Sequence, residues 1–303
     1  MKKWLRRGAL LSLGVLGLGL TAFVILGIRT HLRLTRPHHA HDFNRPLPSS
    51  QDSEAVLRGK HLAESRYGCS GCHGPDLGGG TMIDQGLIGV ILGPNITRGQ
   101  GSNSAQYTMA DWDRIVRHGI KPDGTASFMP SVDFFNMSDD ELHDIVAYAR
   151  SVPPVARRVP APKLGLLGTV LVATGRLPLS AERPSLDEHS PSPPETAETV
   201  QFGQHLASTC TGCHGKDLSG GPLSFGPPDW PPAANLTPDQ TGTKDWTYDD
   251  FEKAMVSGLS KDGHFLRAPM KEVVAATRGM SKTERKALWQ YLQSLPPVTS
   301  KKG

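Results

Sequence analysis

All four cysteines of this 303-residue chain fall into two copies of one pattern, Cys69-Ser70-Gly71-Cys72-His73 and Cys210-Thr211-Gly212-Cys213-His214. Paired thiols with histidine next in line are the attachment signature of c-type haem. The thiols add to the two vinyl groups, and the adjacent imidazole reaches iron from one face. Other uses of paired cysteines fit less well. A redox Cys-x-x-Cys sits near a βαβ pattern and does not require the histidine. A four-cysteine zinc ribbon brings its pairs within about 15–20 residues, whereas Cys72 and Cys210 lie 138 positions apart. A disulfide within either pair stays open as the outcome when haem fails to load.

The likeness between the two halves extends well beyond the cysteines. Gly59-Lys60-His61-Leu62-Ala63 precedes the first motif and Gly203-Gln204-His205-Leu206-Ala207 the second; Gly74-Pro75-Asp76-Leu77 and Gly215-Lys216-Asp217-Leu218 follow them. Farther on, Asn95-Ile96-Thr97 matches Asn235-Leu236-Thr237, and Asp123-Gly124 matches Asp262-Gly263. Met137-Ser138 through Val155 matches Met280-Ser281 through Val298. The unit is about 100 residues, an ordinary domain size.

Each unit reads as three helices. The first runs into the motif from about residue 53, or 198 in the second copy. The second carries Trp112, Ile115 and Val116, matched by Phe251, Ala254 and Met255. The last carries Leu142, Ile145, Val146 and Ala149, matched by Leu288, Tyr291, Leu292 and Leu295, at helical spacing. Ser138 with Glu141, and Ser281 with Glu284, form capping boxes that start these last helices, and Pro153-Pro154 and Pro296-Pro297 stop them.

This organisation resembles the class I cytochrome c family over residues 53–155 and 197–298. The resemblance implies an all-α protein, with two tandem class I cytochrome c-like domains in which the first and last helices cross and support the haem. It pairs a glycine of the first helix with an aromatic of the last: Gly59 with Tyr148, and Gly203 with Tyr291. It also implies two covalently bound c-type haems, held by Cys69, Cys72 and His73 and by Cys210, Cys213 and His214. Asn95 and Asn235 fall in a segment similar to the family's Pro-Asn-Leu turn, whose preceding carbonyl orients the axial histidine. Pro94 fits that pattern, and Ala234 departs from it.

On the far face of iron, methionine favours electron transfer, whereas an open position favours catalysis. Met129 and Met270 lie in the loop after Asp-Gly, beside Pro130 and Pro269, where the resembled family holds its ligand methionine. Met137 and Met280 directly precede the capping serines, where an apolar residue packs as a helix staple. Met82, Met109 and Met255 read as core or surface residues. Bis-histidine ligation through His61 and His205 is the competing arrangement, but a polar helix edge accounts for both. His118, His143, His189 and His264 have no counterpart in the other repeat and read as surface residues.

Lys2, Lys3, Arg6 and Arg7 precede an uncharged, mostly apolar run over residues 8–28. Its 21 residues exceed a secretory h-region and match a bilayer span, so an uncleaved signal-anchor over residues 1–30 is favoured over a removed signal peptide. Arg29, Arg33 and Arg36 leave the charge rule for orientation undecided. Haem attachment is completed outside the cytoplasm in the bacterial systems this chain resembles. That implies a single pass through a bacterial inner membrane with the haem domains on the periplasmic side. Residues 31–52, with His38, His39 and His41, read as a juxtamembrane linker, 156–196 as a Pro-rich interdomain linker and 299–303 as a tail. Within the interdomain segment, residues 164–175 are mostly apolar but too short to span a bilayer, and are expected to pack against a haem domain or a partner, with a membrane-surface contact as the alternative.

Net charge is +4, yet Lys and Arg number 8 against 12 Asp and Glu over residues 54–155, and 10 against 11 over 197–298. Both repeats are acidic, which suits a basic redox partner and gives no indication of nucleic-acid binding. The whole chain is similar to dihaem cytochromes and to cytochrome subunits of membrane-bound dehydrogenases, which implies a carrier rather than an enzyme. Its partners would be a dehydrogenase, a soluble cytochrome or a terminal oxidase. The rival readings are a dihaem redox enzyme, peroxidase-like or thiosulfate-oxidising, with one open iron, and a haem-based sensor.

Overall fold

The computed structural model describes residues 2–40, 43–183, 189–223 and 230–300; His41 lies outside them. Helix α1 (Lys2–Thr35) contains a stretch, Ser12–Thr35, long and apolar enough to cross a membrane. The first repeat is built on α2 (Ser53–His61), α3 (Cys69–His73), α4 (Met109–Asp113) and α5 (Asp139–Ser151). Wider π-helical turns, Leu62–Arg66 and Arg114–His118, extend α2 and α4. Strands β1 (Gly80–Gln85) and β2 (Gly89–Gly93) form an antiparallel hairpin, joined by the two-residue β3 (Lys163–Leu164) and followed by α6 (Leu166–Thr174). The second repeat has α7 (Val200–Ala207), α8 (Thr211–His214), α9 (Tyr248–Ser257), α10 (Met270–Thr277) and α11 (Lys282–Ser294).

The protein is thus mainly helical with a small three-stranded sheet, not purely α. The segments Gly80–Gln85 and Gly89–Gly93 carry β-branched residues around a tight turn, a local preference that the haem-flanking repeat pattern masks. In each repeat the first helix packs on the last, α2 on α5 and α7 on α11. The closeness rests on glycine: a Cβ on Gly59 would strike the Asp144 carbonyl and meet Tyr148 Cβ, and one on Gly203 would strike the Ala287 carbonyl and Tyr291 Cβ. Leu142 and Val146 from α5, and Ala287, Leu288 and Leu292 from α11, fill the two cores. The capping boxes at Ser138–Glu141 and Ser281–Glu284 are formed, and Thr108–Asp111 and Thr247–Asp250 make a second matched pair at α4 and α9.

The apolar segment 164–175 is no loose linker. As β3 and α6 it extends the hairpin and packs against α1, where Thr30 Oγ1 donates to the Thr169 carbonyl at 2.8 Å. Arg33 reaches the Val172 carbonyl and pairs with Glu182, to which Arg36 also bonds at 2.9 Å. The foot of the first repeat is therefore tied directly to the long apolar helix.

The repeats meet across a reciprocal seam. His61 of the first sets Nε2 at 2.9 Å from Glu284 of the second, and His205 of the second sets Nε2 at 3.0 Å from Glu141 of the first. Both carboxylates are also the capping glutamates of the last helices, so one residue starts a helix and joins the repeats. The seam is not symmetric. The first repeat carries three more residues between this histidine and its motif, accommodated by the π-helical turn, and that insertion supplies Arg66. Arg66 pairs with Glu141 at 2.5 Å, with side-chain exposures of 6% and 3%, and lies over the rings of Tyr67 and Phe202.

The seam should respond to alkali through His61. The Glu284 hydrogen bond raises its pKa above the usual imidazole value, outweighing partial burial. A raised folded-state pKa contributes stability that is complete below the unfolded value, about 6.5, and is lost as pH rises through the folded value. The melting temperature is expected to fall more between pH 6 and pH 9 in the native chain than in His61→Gln. Parallel declines in both proteins would refute the coupling.

Candidate haem sites

His73 and His214 end the short helices of the two motifs, each only 9% exposed. His73 Nδ1 donates to the Pro94 carbonyl at 2.8 Å, and His214 Nδ1 donates to the Ala234 carbonyl at 2.7 Å. A carbonyl only accepts, so each bond fixes the tautomer that leaves the Nε2 lone pair for a metal. Burial pushes both imidazoles below their ordinary pKa, which keeps that nitrogen unprotonated. The change from Pro94 to Ala234 has no consequence for the bond, because the acceptor belongs to the main chain.

The repeated asparagines hold these acceptors in place. Asn95 Nδ2 donates to the Val155 carbonyl at 2.8 Å while its Oδ1 accepts from Thr97 N–H at 3.0 Å. Asn235 does the same with Val298 at 2.6 Å and Thr237 at 2.9 Å. The matched asparagine, threonine and valine of the sequence are thus one device, stitching the histidine's carbonyl turn to the segment beyond the last helix. Leu77 and Leu218, at matched positions after the motifs, adopt left-handed φ of 55° and 57° and are buried. Such strain persists where the surroundings over-determine it.

None of the four cysteines is in a disulfide. Burial pushes Cys69 up to about 12 and Cys210 up to about 11, so the folded pocket disfavours thiolate at both. Met129 and Met270 each lie part-buried against the core of the repeat that holds the corresponding histidine. Met270 differs from the loop expectation: it is the first residue of α10, a helix that the first repeat replaces with the single 3-10 turn Ser131–Asp133. Met137 and Met280 are 2% and 6% exposed and pack in the cores, as helix staples do. Met109 and Met255 are core residues as well.

The methionine-bearing segments also reach across the seam. A Cβ on Gly212, inside the second motif, would strike Asp133 of the first repeat, and one on Gly68, beside the first motif, would meet Ala276 of α10 at 3.1 Å. Burial pushes the Asp133 carboxyl up to about 6. Each attachment motif is therefore covered by the other repeat's methionine segment.

The residues present fit haem. Two thiols and a neutral, oriented imidazole recur in both repeats, and Trp112 Nε1 and Arg114 Nε are buried without a hydrogen-bond partner among the described residues, donors of the kind that propionates satisfy. Of the histidines read as surface residues, His264 is exposed, but His118 is only 6% exposed and His189 is half-buried against it. A lone histidine carries no sequence signal of burial, and the partner that covers His118 lies 71 positions away.

Comparison with known proteins agrees with this geometry. The cytochrome c family model matches residues 56–153 and 200–296. The cytochrome c subunit of the quinone alcohol dehydrogenase of Gluconacetobacter polyoxogenes is 30% identical over 287 residues, covering 85% of this chain and 60% of that protein. A dihaem c-type cytochrome of Cereibacter sphaeroides is 25% identical over 280 residues, covering 84% of this chain and 92% of the relative. The fructose dehydrogenase cytochrome subunit of Gluconobacter japonicus is 25% identical over 279 residues, 83% of this chain and 54% of that protein. The chain spans about 60% of the length of the alcohol dehydrogenase subunit. With two matched domains, each presenting paired thiols and an oriented imidazole, the chain belongs to the cytochrome c family of electron-transfer proteins, whose cofactor is covalently bound haem c.

Proposed function

We propose that this chain carries two haems, one per repeat, and passes electrons from a membrane-associated donor to a downstream acceptor. Cys69 and Cys72 hold one haem and Cys210 and Cys213 the other, with His73 and Met129, and His214 and Met270, as axial ligands. The observation that carries the reading is the duplicated histidine device, in which a main-chain carbonyl locks Nδ1 in both repeats. Bound haem supplies a one-electron ferric–ferrous couple. The chain's own contribution is to keep the ligands fixed, so that little rearranges when the charge changes. Crossed helices closed on glycine, and histidines stitched through Asn95 and Asn235, suit that requirement.

Helix α1 is read as a single-pass anchor in a bacterial inner membrane, with both repeats on the periplasmic side. The donor is read as a membrane-bound dehydrogenase, by likeness to the alcohol and fructose dehydrogenase subunits. The acceptor is a soluble cytochrome or a terminal oxidase. Met129→Ala and Met270→Ala test the ligand set: each is expected to remove about half of the far-red methionine-to-ferric-iron band and to leave one high-spin haem. Full retention of the band in both variants would overturn the methionine assignment.

A further inference from the structure

His118, Asp113 and His189 converge beside the first repeat without belonging to the haem-binding set. His118 Nε2 stands 3.3 Å from His189 Nε2 and 3.7 Å from Asp113 Oδ2, and the three side chains offer ligand atoms within 4.8 Å of one another. Ligands bound tetrahedrally at zinc distances, roughly 2.0–2.1 Å, stand roughly 3.4 Å apart. The local backbone contributes to this spacing. Arg114–His118 is a π-helical turn, in which residues five apart face one side, so Asp113 and His118 are brought together as a regular α-helix would not bring them.

Asp113 is oriented for such a task. It is fully buried, its Oδ1 accepts from Arg117 Nε at 2.6 Å, and its Oδ2 accepts no hydrogen bond among the described residues. A buried carboxylate oxygen left without a donor is costly, and 3.7 Å is too long for His118 to supply one. A plain hydrogen bond between the two imidazoles would leave that oxygen unsatisfied, whereas a cation shared by all three satisfies it. Charge does not oppose it: Arg117, which pairs with Asp113, is paired with Asp139 as well. Phe135 packs on both rings, and His189 also lines an open groove with Gln204, His205 and Thr211.

We propose that Asp113, His118 and His189 form a binding site for a borderline divalent cation of the zinc class. Two imidazoles and a carboxylate are the donor set such an ion takes, with a fourth position left to water. The site would fasten the interdomain segment to the first repeat. That segment is already aligned there, with the Ser190 and Pro191 carbonyls accepting from Asp139 and Asp140 N–H at 3.0 and 3.1 Å.

The test uses the full-length, haem-loaded protein in detergent, stripped with chelator and titrated with zinc chloride by calorimetry and equilibrium dialysis. The native protein is expected to bind one equivalent that is weakened at least about 100-fold in both His118→Gln and His189→Gln, and unchanged in the exposed control His264→Gln. Zinc should also raise the melting temperature of the native protein and not that of His189→Gln. His189 is half-buried, so its variant decides the matter even where His118→Gln fails to fold; an unchanged haem spectrum certifies the fold. Equal zinc affinity in the native protein and His189→Gln, or no binding below millimolar zinc, overturns the site.

Discussion

Glu141→Ala is expected to destabilise the haem-loaded protein by about 3–5 kcal/mol, against about 1 kcal/mol for Glu284→Ala at the matched position. Both residues cap the last helix of their repeat and both face a histidine across the seam. Only Glu141 also neutralises a buried arginine, since among the described residues no arginine pairs with Glu284. Removing Glu141 strands the Arg66 guanidinium, whose Nε and Nη2 already lack hydrogen-bond partners among the described residues, and frees the Tyr67 hydroxyl that donates to it at 3.2 Å. Burial alone would raise the Glu141 carboxyl; the His205 bond and the Arg66 charge instead hold it at about 2. Its contribution is thus present above the ordinary carboxylate range and is lost only as pH falls toward 2. Denaturant unfolding of the two variants at pH 7 measures the contrast. Equal losses would remove Arg66 from the account, and Glu141→Gln should fall between the extremes because it keeps the cap and loses the charge.

Gly59→Ala and Gly203→Ala are each expected to cost about 3 kcal/mol, the upper end for overpacking, because the new methyl would meet main chain and not a flexible side chain. Gly59 faces the Asp144 carbonyl and Gly203 the Ala287 carbonyl, on the helix that each must approach. Relief requires the first and last helices to part, which also moves Tyr148 and Tyr291. Gly86→Ala is the control, for a Cβ there meets nothing within 4 Å. Thermal unfolding followed at the haem band should show one early transition in each core variant and none in the control. Wild-type melting in Gly59→Ala would mean that the crossing tolerates a methyl and is set elsewhere.

The haem motifs and the repeat are legible because each is written in identities at fixed offsets, whereas the crossing glycines follow only from the family resemblance. Cysteine two before cysteine, histidine next, and serine three before glutamate need no knowledge of the rest of the chain. What stayed hidden depends on partners far away. His61 and His205 read as polar helix edges, since their acceptors are glutamates already explained as caps. Residues 164–175 read as an apolar dozen packed on a haem domain or a partner, and the sequence does not show that β2 and α1 are what they pack on. Helix α10 broke the correspondence between Met129 and Met270, which differ in backbone setting although they match in order. His118 gave no sign of burial, because Phe135 and His189 cover it from outside its own helix.

The seam has the geometry of a self-association face. A surface in which residue i of one copy binds residue j of the other, and j of the first binds i of the second, is the self-complementary face of a twofold dimer. His61 to Glu284 and His205 to Glu141 keep that pairing inside one chain. Fusing two such copies removes the need to find each other by diffusion and frees the halves to diverge. The three extra residues of the first repeat, with the Arg66 pairing beside them, give the two halves a distinguishable first member and second.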